Sequence, residues 1–404
     1  MKSSFSCTSS LCFLLPLLIS LDSESTMTWT SGNLHRPFAL RCRNHMKIIS
    51  KENARMESRW KDAEMASLEL PKELPYDFLK DITDNFSEER KISADPFGTL
   101  YKINQGIIPH DGKVIAVKQL KHNAPLAADK ILRTEVQTIM ELKHENIVHL
   151  VGYCSETNRK LVQFNHRYIE ADITESLLCY EYLPTGSLQE NLFGKNKGDT
   201  LAEHVIDWDT RFKIIKGICR GLHFLHNLDC PIIHMDLKPE NIWLDENFVP
   251  KIVNFSLCRI FGEDQTRLYT QTVVGSYGHM SPEYVYRGEI SAKTDVYSLG
   301  VMMIEIITGE KNCPEANQLC GIAYIDTISK RWNAEHILFM YSSLDADDLQ
   351  RVKACLDIGL RCVKINPGKR PSINEVIRYL RQVVFRTGYK YERKNPPVPL
   401  RNEI

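Results

Sequence analysis

The chain lacks a charge surplus of either sign. Its 404 residues carry 51 lysines and arginines against 51 aspartates and glutamates, a formal net charge of zero. That balance removes the electrostatic footprint of a nucleic-acid binder or of a protein drawn to an acidic bilayer. Cysteine pairing is also missing. The twelve cysteines (7, 12, 42, 154, 179, 219, 230, 258, 313, 320, 355 and 362) include no CxxC pair. A disulfide framework is not expected in a chain this long, and most of these thiols read as small buried apolar residues. There is no internal repeat, and long hydrophobic runs are scarce. Residues 11–21 (LCFLLPLLISL) follow Lys2 and contain Pro16. They fall short of the roughly 20 apolar residues of a membrane span and suit the core of a secretory signal.

What remains is the composition of a globular protein, 43% hydrophobic and 25% charged. The length allows one two-lobed domain with tails, or two ordinary domains. Residues 22–66 show no strong period and read as a poorly ordered leader. From about Leu68 the pattern changes. Tyr76, Phe78, Leu79, Ile82 and Phe86 have helical spacing. Strand-like runs follow at 98–103 and 114–120, with an Asp111-Gly112 turn between them. Residues 128–143 read as a helix, with Ile131, Leu132, Val136, Ile139 and Met140 on one face. Runs at 147–154 and 177–183 read as strands, and the polar stretch 155–176 between them as an extended loop or hairpin. A helix begins near Trp208, with Ile215, Ile218, Leu222 and Leu225 as its stripe. The run 296–307 (VYSLGVMMIEII) is apolar on nearly every side, so it belongs inside a lobe. Pro396, Pro397 and Pro399 mark an extended, disordered tail. A β-rich part therefore precedes a larger α-rich part, an α+β plan with a cleft between two lobes.

The chemistry concentrates in two segments. Residues 233–241 read IHMDLKPEN, and 254–256 read NFS. The spacing H-x-D-L-K-P-x-N, the upstream VIAVK ending at Lys118, and the downstream Ser281-Pro282-Glu283 occur in a fixed order. In these motifs, from about Leu70 to Val384, the chain resembles a plant-type receptor-like or receptor-like cytoplasmic Ser/Thr protein kinase, a relative of the cysteine-rich receptor-like kinases. The resemblance implies a protein kinase domain at 68–385, between a leader (1–66) and a tail (386–404), and use of ATP with Mg²⁺ or Mn²⁺. It implies that Lys118 meets the α and β phosphates and pairs with Glu135. It makes Asp236 the base that accepts the substrate hydroxyl proton, and Lys238 the cation beside the transferring phosphate. Asn241 and the residue at 254 become the metal ligands. Ser93, Gly98, Leu100, Ala116, Tyr180 as gatekeeper, Glu181, Leu183 and Trp243 line the nucleotide. Ser276 lies in the activation segment, Glu283 closes it and pairs with Arg370, and Asp295 anchors the catalytic-loop backbone.

The sequence departs from that pattern in four places. Asn254 stands where the magnesium-binding Asp belongs. An amide brings no charge to a cation that prefers anionic oxygen, and Ser256 replaces the adjoining glycine. In the phosphate loop, Ser93 and Asp95 replace two of three glycines and leave Gly98. Asp95 adds negative charge near a polyanion, and Pro96 removes a backbone donor. Met235 replaces an arginine that answers a phosphorylated loop, so Thr266, Thr270 or Thr272 would have less to pair with. Trp243 replaces the usual leucine beneath adenine, either stacking on the base or packing in the core.

The expectation is therefore a kinase fold in signalling with phosphoryl transfer weak or lost, acting by docking to a partner kinase or receptor. A competent Ser/Thr kinase acting on protein substrates is the alternative. A cleaved signal would take the domain away from cytosolic ATP. The sequence thus favours a cytoplasmic protein, with 11–21 as a weak membrane anchor or as the product of a start misplaced upstream of Met46, Met56 or Met65.

Overall fold

The computed structural model describes residues 70–103, 114–164, 166–194, 206–314 and 319–394. The expected leader, its apolar stretch at 11–21, the Asp111-Gly112 turn and the prolines of the tail lie outside these residues. The first lobe is a six-stranded sheet in the order β1-β5-β6-β4-β3-β2. Its elements are β1 (Lys72–Glu73), α1 (Tyr76–Ile82), β2 (Lys91–Ala94), β3 (Gly98–Lys102), β4 (Ile115–Leu120), α2 (Ala128–Ile139), β5 (Leu150–Phe164) and β6 (Arg167–Glu181). Ile115, Ala116, Val117 and Lys118 on β4 are all buried, because the sheet is covered on both faces. A small cluster of Leu74, Leu79, Ile103, Ile115, Val117, Leu177 and Cys179 fills the side under α1. On the other face Leu178 and Tyr180 join Ile131 and Leu132 of α2.

Helix α2 ends at Ile139, four residues before the expected 143. The stretch 155–176 is the hairpin of the two forms expected. Strands β5 and β6 form one antiparallel ladder from Leu150↔Tyr180 out to Phe164↔Arg167. β-branched and aromatic residues occur along its outer part (Val162, Tyr168, Ile169, Ile173), the composition that suits a pleated surface.

The second lobe is helical, with short strands at its inner edge. It contains β7 (Gly186–Ser187), α3 (Leu188–Phe193), α4 (Trp208–His226), β8 (Ile232–Ile233), β9 (Ile242–Leu244), β10 (Pro250–Ile252), β11 (Arg259–Ile260), β12 (Leu268–Tyr269), α5 (Pro282–Arg287), β13 (Glu289–Ile290), α6 (Ala292–Thr308), α7 (Ile322–Arg331), α8 (Ala334–Met340), α9 (Ala346–Cys362) and α10 (Ile373–Lys394). Every residue from Thr294 to Thr308 is buried, so α6 is the central helix its all-round apolarity predicts. A capping box at Ser291 and Thr294 starts it, and Gly309 in the left-handed region ends it. Helix α10 continues to Lys394, past the boundary expected at 385. Phe97, Leu178 and Tyr180 of the sheet lobe share one core cluster with Leu222, Ile252 and Phe255 of the helical lobe. That shared core fixes the walls of the cleft. Among the described cysteines none is bridged, and Cys154, Cys179, Cys219, Cys258, Cys320, Cys355 and Cys362 are buried.

Candidate active site

A cavity of about 490 Å³ opens between the lobes, within the roughly 300–1,000 Å³ range of small-molecule sites. Ala116, Val148, Leu183, Trp243 and Val253 give it apolar walls, and Ser93, Gly98 and Leu100 roof it. Lys118, Asp236, Lys238, Asn241 and Asn254 supply the polar end, and Tyr180, Glu181 and Ser276 also line it. Glu135 lies behind this wall, fully buried on α2. The segment after β6 is held by backbone bonds from Glu181 N to His149 O and from Tyr182 N to Val114 O, at 3.1 and 3.2 Å. The Glu181 carboxylate is a structural group here, since Oε1 accepts from His149 N and lies 2.9 Å from Lys251 Nζ. The Trp243 N–H donates to Glu240 O at 3.2 Å, and its ring forms part of the cavity wall.

The loop that carries His234 to Asn241 is clamped from below. Asp295 is fully buried at the start of α6, and its carboxylate accepts from His234 N (2.7 Å) and Met235 N (2.8 Å). His226 Nε2 lies 2.9 Å from the same group. Met235 sits at φ 72°, unusual for a side-chain-bearing residue, and the two bonds to Asp295 hold it there. Asp236 is presented above this clamp. Its Oδ1 accepts from Ser276 Oγ at 2.7 Å and its Oδ2 from Asn241 Nδ2 at 2.8 Å. Lys238 Nζ stands 3.9 Å away. A carboxylate 2.7 Å from a hydroxyl is at the distance a general base needs. Arg370 and Glu283 form a buried bidentate pair, both contacts 2.6 Å, that fixes the end of the activation segment.

The upper half of the site departs from the arrangement that the resemblance implies. Among the described residues no ion pair joins Lys118 to Glu135. Lys118 Nζ instead lies 3.0 Å from Asp95 Oδ2 and donates to Asn254 Oδ1 at 3.2 Å. Glu135 accepts from the hydroxyls of Tyr180 and Ser256, the latter at 2.5 Å. Burial, reinforced by the Glu135 carboxylate, pushes the Tyr180 phenol well above its ordinary pKa, so it remains a neutral donor. Asn254, at φ 67°, occupies a left-handed conformation that Asn tolerates. Its Nδ2 donates to Asn241 Oδ1 at 3.2 Å. The two expected metal ligands are therefore bonded to each other. An Asp at 254 could not donate that bond, and its repulsion from Asn241 Oδ1 is what a cation between them would relieve. Reading the sequence position by position missed these pairings. The available signal was the coincidence of a hydroxyl at 180, a hydroxyl at 256 and a carboxylate at 95, all around Lys118 and Glu135.

Residues 86–380 match the protein kinase domain model. The chain belongs to the protein kinase family. It is 37% identical over 297 residues to cysteine-rich receptor-like protein kinase 6 of Oryza sativa subsp. japonica, covering 73% of this chain and 39% of that one. It is 39% identical over 303 residues to cysteine-rich receptor-like protein kinase 36 of Arabidopsis thaliana, covering 74% and 41%. A G-type lectin S-receptor-like serine/threonine-protein kinase of Arabidopsis thaliana is 39% identical over 333 residues, covering 80% and 36%. The chain thus groups with plant receptor-like Ser/Thr kinases, and its match spans less than half the length of each of these relatives. No helix among the described residues is long and apolar enough to cross a membrane. The family generally uses ATP with Mg²⁺. The apolar slot fits a purine ring, but the donor set fits the cation poorly: Asn241 and Asn254 offer neutral oxygens already engaged, and no cluster of three His, Cys, Asp or Glu suited to a metal occurs among the described residues.

Proposed function

We propose that this kinase-family protein works in intracellular signalling chiefly as a docking module for a partner kinase or receptor, with transfer of phosphate to protein Ser/Thr weak or lost. The mutual bond of Asn254 and Asn241 carries this reading, since it satisfies both metal-site amides without a divalent ion. The loss of the Lys118–Glu135 pair supports it. Removing one preorganised electrostatic element from such a site costs about 10²- to 10³-fold in rate. A cytoplasmic location, with or without a weak membrane hold through residues 11–21, goes with this reading. A competent Ser/Thr kinase is the second reading, favoured by Asp236, whose carboxylate faces the cavity and accepts from one hydroxyl, that of Ser276, at 2.7 Å, the distance a general base needs.

A phosphorylation assay on the purified chain with Mg²⁺ or Mn²⁺ separates the two. Wild type should incorporate at least about 10²-fold less phosphate than Asn254→Asp, and Asp236→Ala in the Asn254→Asp background should return the rate to background. Wild-type turnover equal to that of Asn254→Asp, and abolished by Asp236→Ala alone, would establish the active-kinase reading instead.

A further inference from the structure

The loop between β2 and β3 binds an anion of its own. Phe97 N and Gly98 N donate to Asp95 Oδ1 at 2.8 and 2.6 Å. Asp95 Oδ2 lies 3.0 Å from the buried ammonium of Lys118. Lys121 Nζ donates to the Asp95 carbonyl at 2.7 Å and ties down the same turn. Backbone N–H groups and a buried cation are the donors that cradle a phosphate. Here they converge on one carboxylate of the chain itself. Pro96 adds no donor. Phe97 is buried in the shared core, so the loop is pinned over the cleft. A phosphate entering this end would have to displace Asp95 from Lys118, then share the space with its negative charge. The uncharged amides of Asn241 and Asn254 do nothing to offset that cost. The other end of the cavity carries no such obstacle: Ala116, Leu183 and Trp243 leave an apolar slot for a flat ring.

We propose that the cleft takes an uncharged purine nucleoside of the adenosine type in preference to the nucleoside triphosphate, with the Asp95 carboxylate standing where a phosphate would lie. This rests on the reading of the cavity as a kinase cleft and adds the class of ligand it selects. The test is calorimetric titration of the purified full chain with adenosine and with ATP, each with and without Mg²⁺. Wild type should bind adenosine at least as tightly as ATP, and Mg²⁺ should change neither affinity. Asp95→Asn and Asp95→Gly should each tighten ATP by about tenfold or more while leaving adenosine within about threefold. Thermal unfolding confirms that the variants are folded, and the wild-type ratio tests the idea without them. ATP binding about tenfold tighter than adenosine in wild type would overturn it. So would an ATP-to-adenosine ratio unmoved by both variants, or folded wild type that binds no adenosine. Phosphate incorporation is a separate readout. Turnover by wild type would sink the docking reading, whereas ATP preference without turnover would sink the nucleoside preference alone.

Discussion

Glu135 shows how single residues set this site. It is fully buried, no ion pair to it occurs among the described residues, and it accepts from two hydroxyls, Tyr180 and Ser256. Ser256 has one proton for two acceptors, Glu135 Oε1 at 2.5 Å and Asn254 Oδ1 at 2.6 Å. A buried acceptor left without a donor costs about 1–3 kcal/mol, more when charged. Ser256→Ala should therefore destabilise the protein by about 2 kcal/mol or more in urea unfolding. A change under about 0.5 kcal/mol would show that the hydroxyl is not holding the carboxylate. Some contacts that the resemblance implied are present: Asp295 accepts from the backbone N–H groups of His234 and Met235, and the Glu283 carboxylate pairs with the Arg370 guanidinium. Lys118 and Glu135 were misjudged because each had competing partners that no local pattern reveals. Asp95 was read as a repulsive charge near phosphate. In the fold that charge also has partners of its own, the backbone N–H groups of its loop and Lys118. Gly98 also meets a constraint of the sheet: a Cβ there would lie 2.7 Å from Gln119 O on the neighbouring β4.

At the scale of elements, the β5–β6 hairpin stands away from the core of the sheet lobe in its outer part. Its base is held by the sheet, by the Thr157–Thr174 hydroxyl pair at 2.8 Å, and by Lys160, which reaches Glu175 at 2.7 Å. Its outer residues, including Leu161 at 69% and Tyr168 at 72% exposure, carry little of the core. The polar composition of 155–176 left loop and hairpin open, because a two-stranded ladder with solvent on much of both faces needs no apolar alternation. Replacing residues 161–170 with Asn-Gly keeps the Lys160↔Ala171 pair next to a two-residue turn of the favoured type. The exposed Arg159–Glu170 contact at 3.9 Å is lost, and such pairs are worth about 0–1 kcal/mol. Unfolding free energy should therefore move by no more than about 1 kcal/mol. A loss above about 3 kcal/mol would mean that the tip supports the lobe.

For the whole molecule, the division into a sheet lobe and a helical lobe was legible in the sequence because periodicity reports which faces are buried. The all-round apolar run at 296–307 marked the middle of a lobe for the same reason. The polar groups buried with it were not legible, since periodicity carries no information about their partners. His279 is one of them. Its Nε2 lies 2.8 Å from Glu305 Oε2 on α6, joining the activation segment to the central helix. Burial alone would lower the imidazole pKa. The Glu305 carboxylate outweighs it, helped by Glu240 and opposed by Lys238, and the net shift is upward. A raised folded-state pKa means that the folded protein holds this proton more tightly than the unfolded chain, where histidine titrates near about 6.5. The stabilisation is fully present below that value and is lost as pH rises through the folded-state pKa. His279→Gln removes the titration. The stability gap between wild type and His279→Gln should therefore narrow between about pH 6 and about pH 8.5 when measured by urea unfolding at both. A gap that widens with pH would show that the imidazole is buried neutral and that Glu305 does not hold it charged.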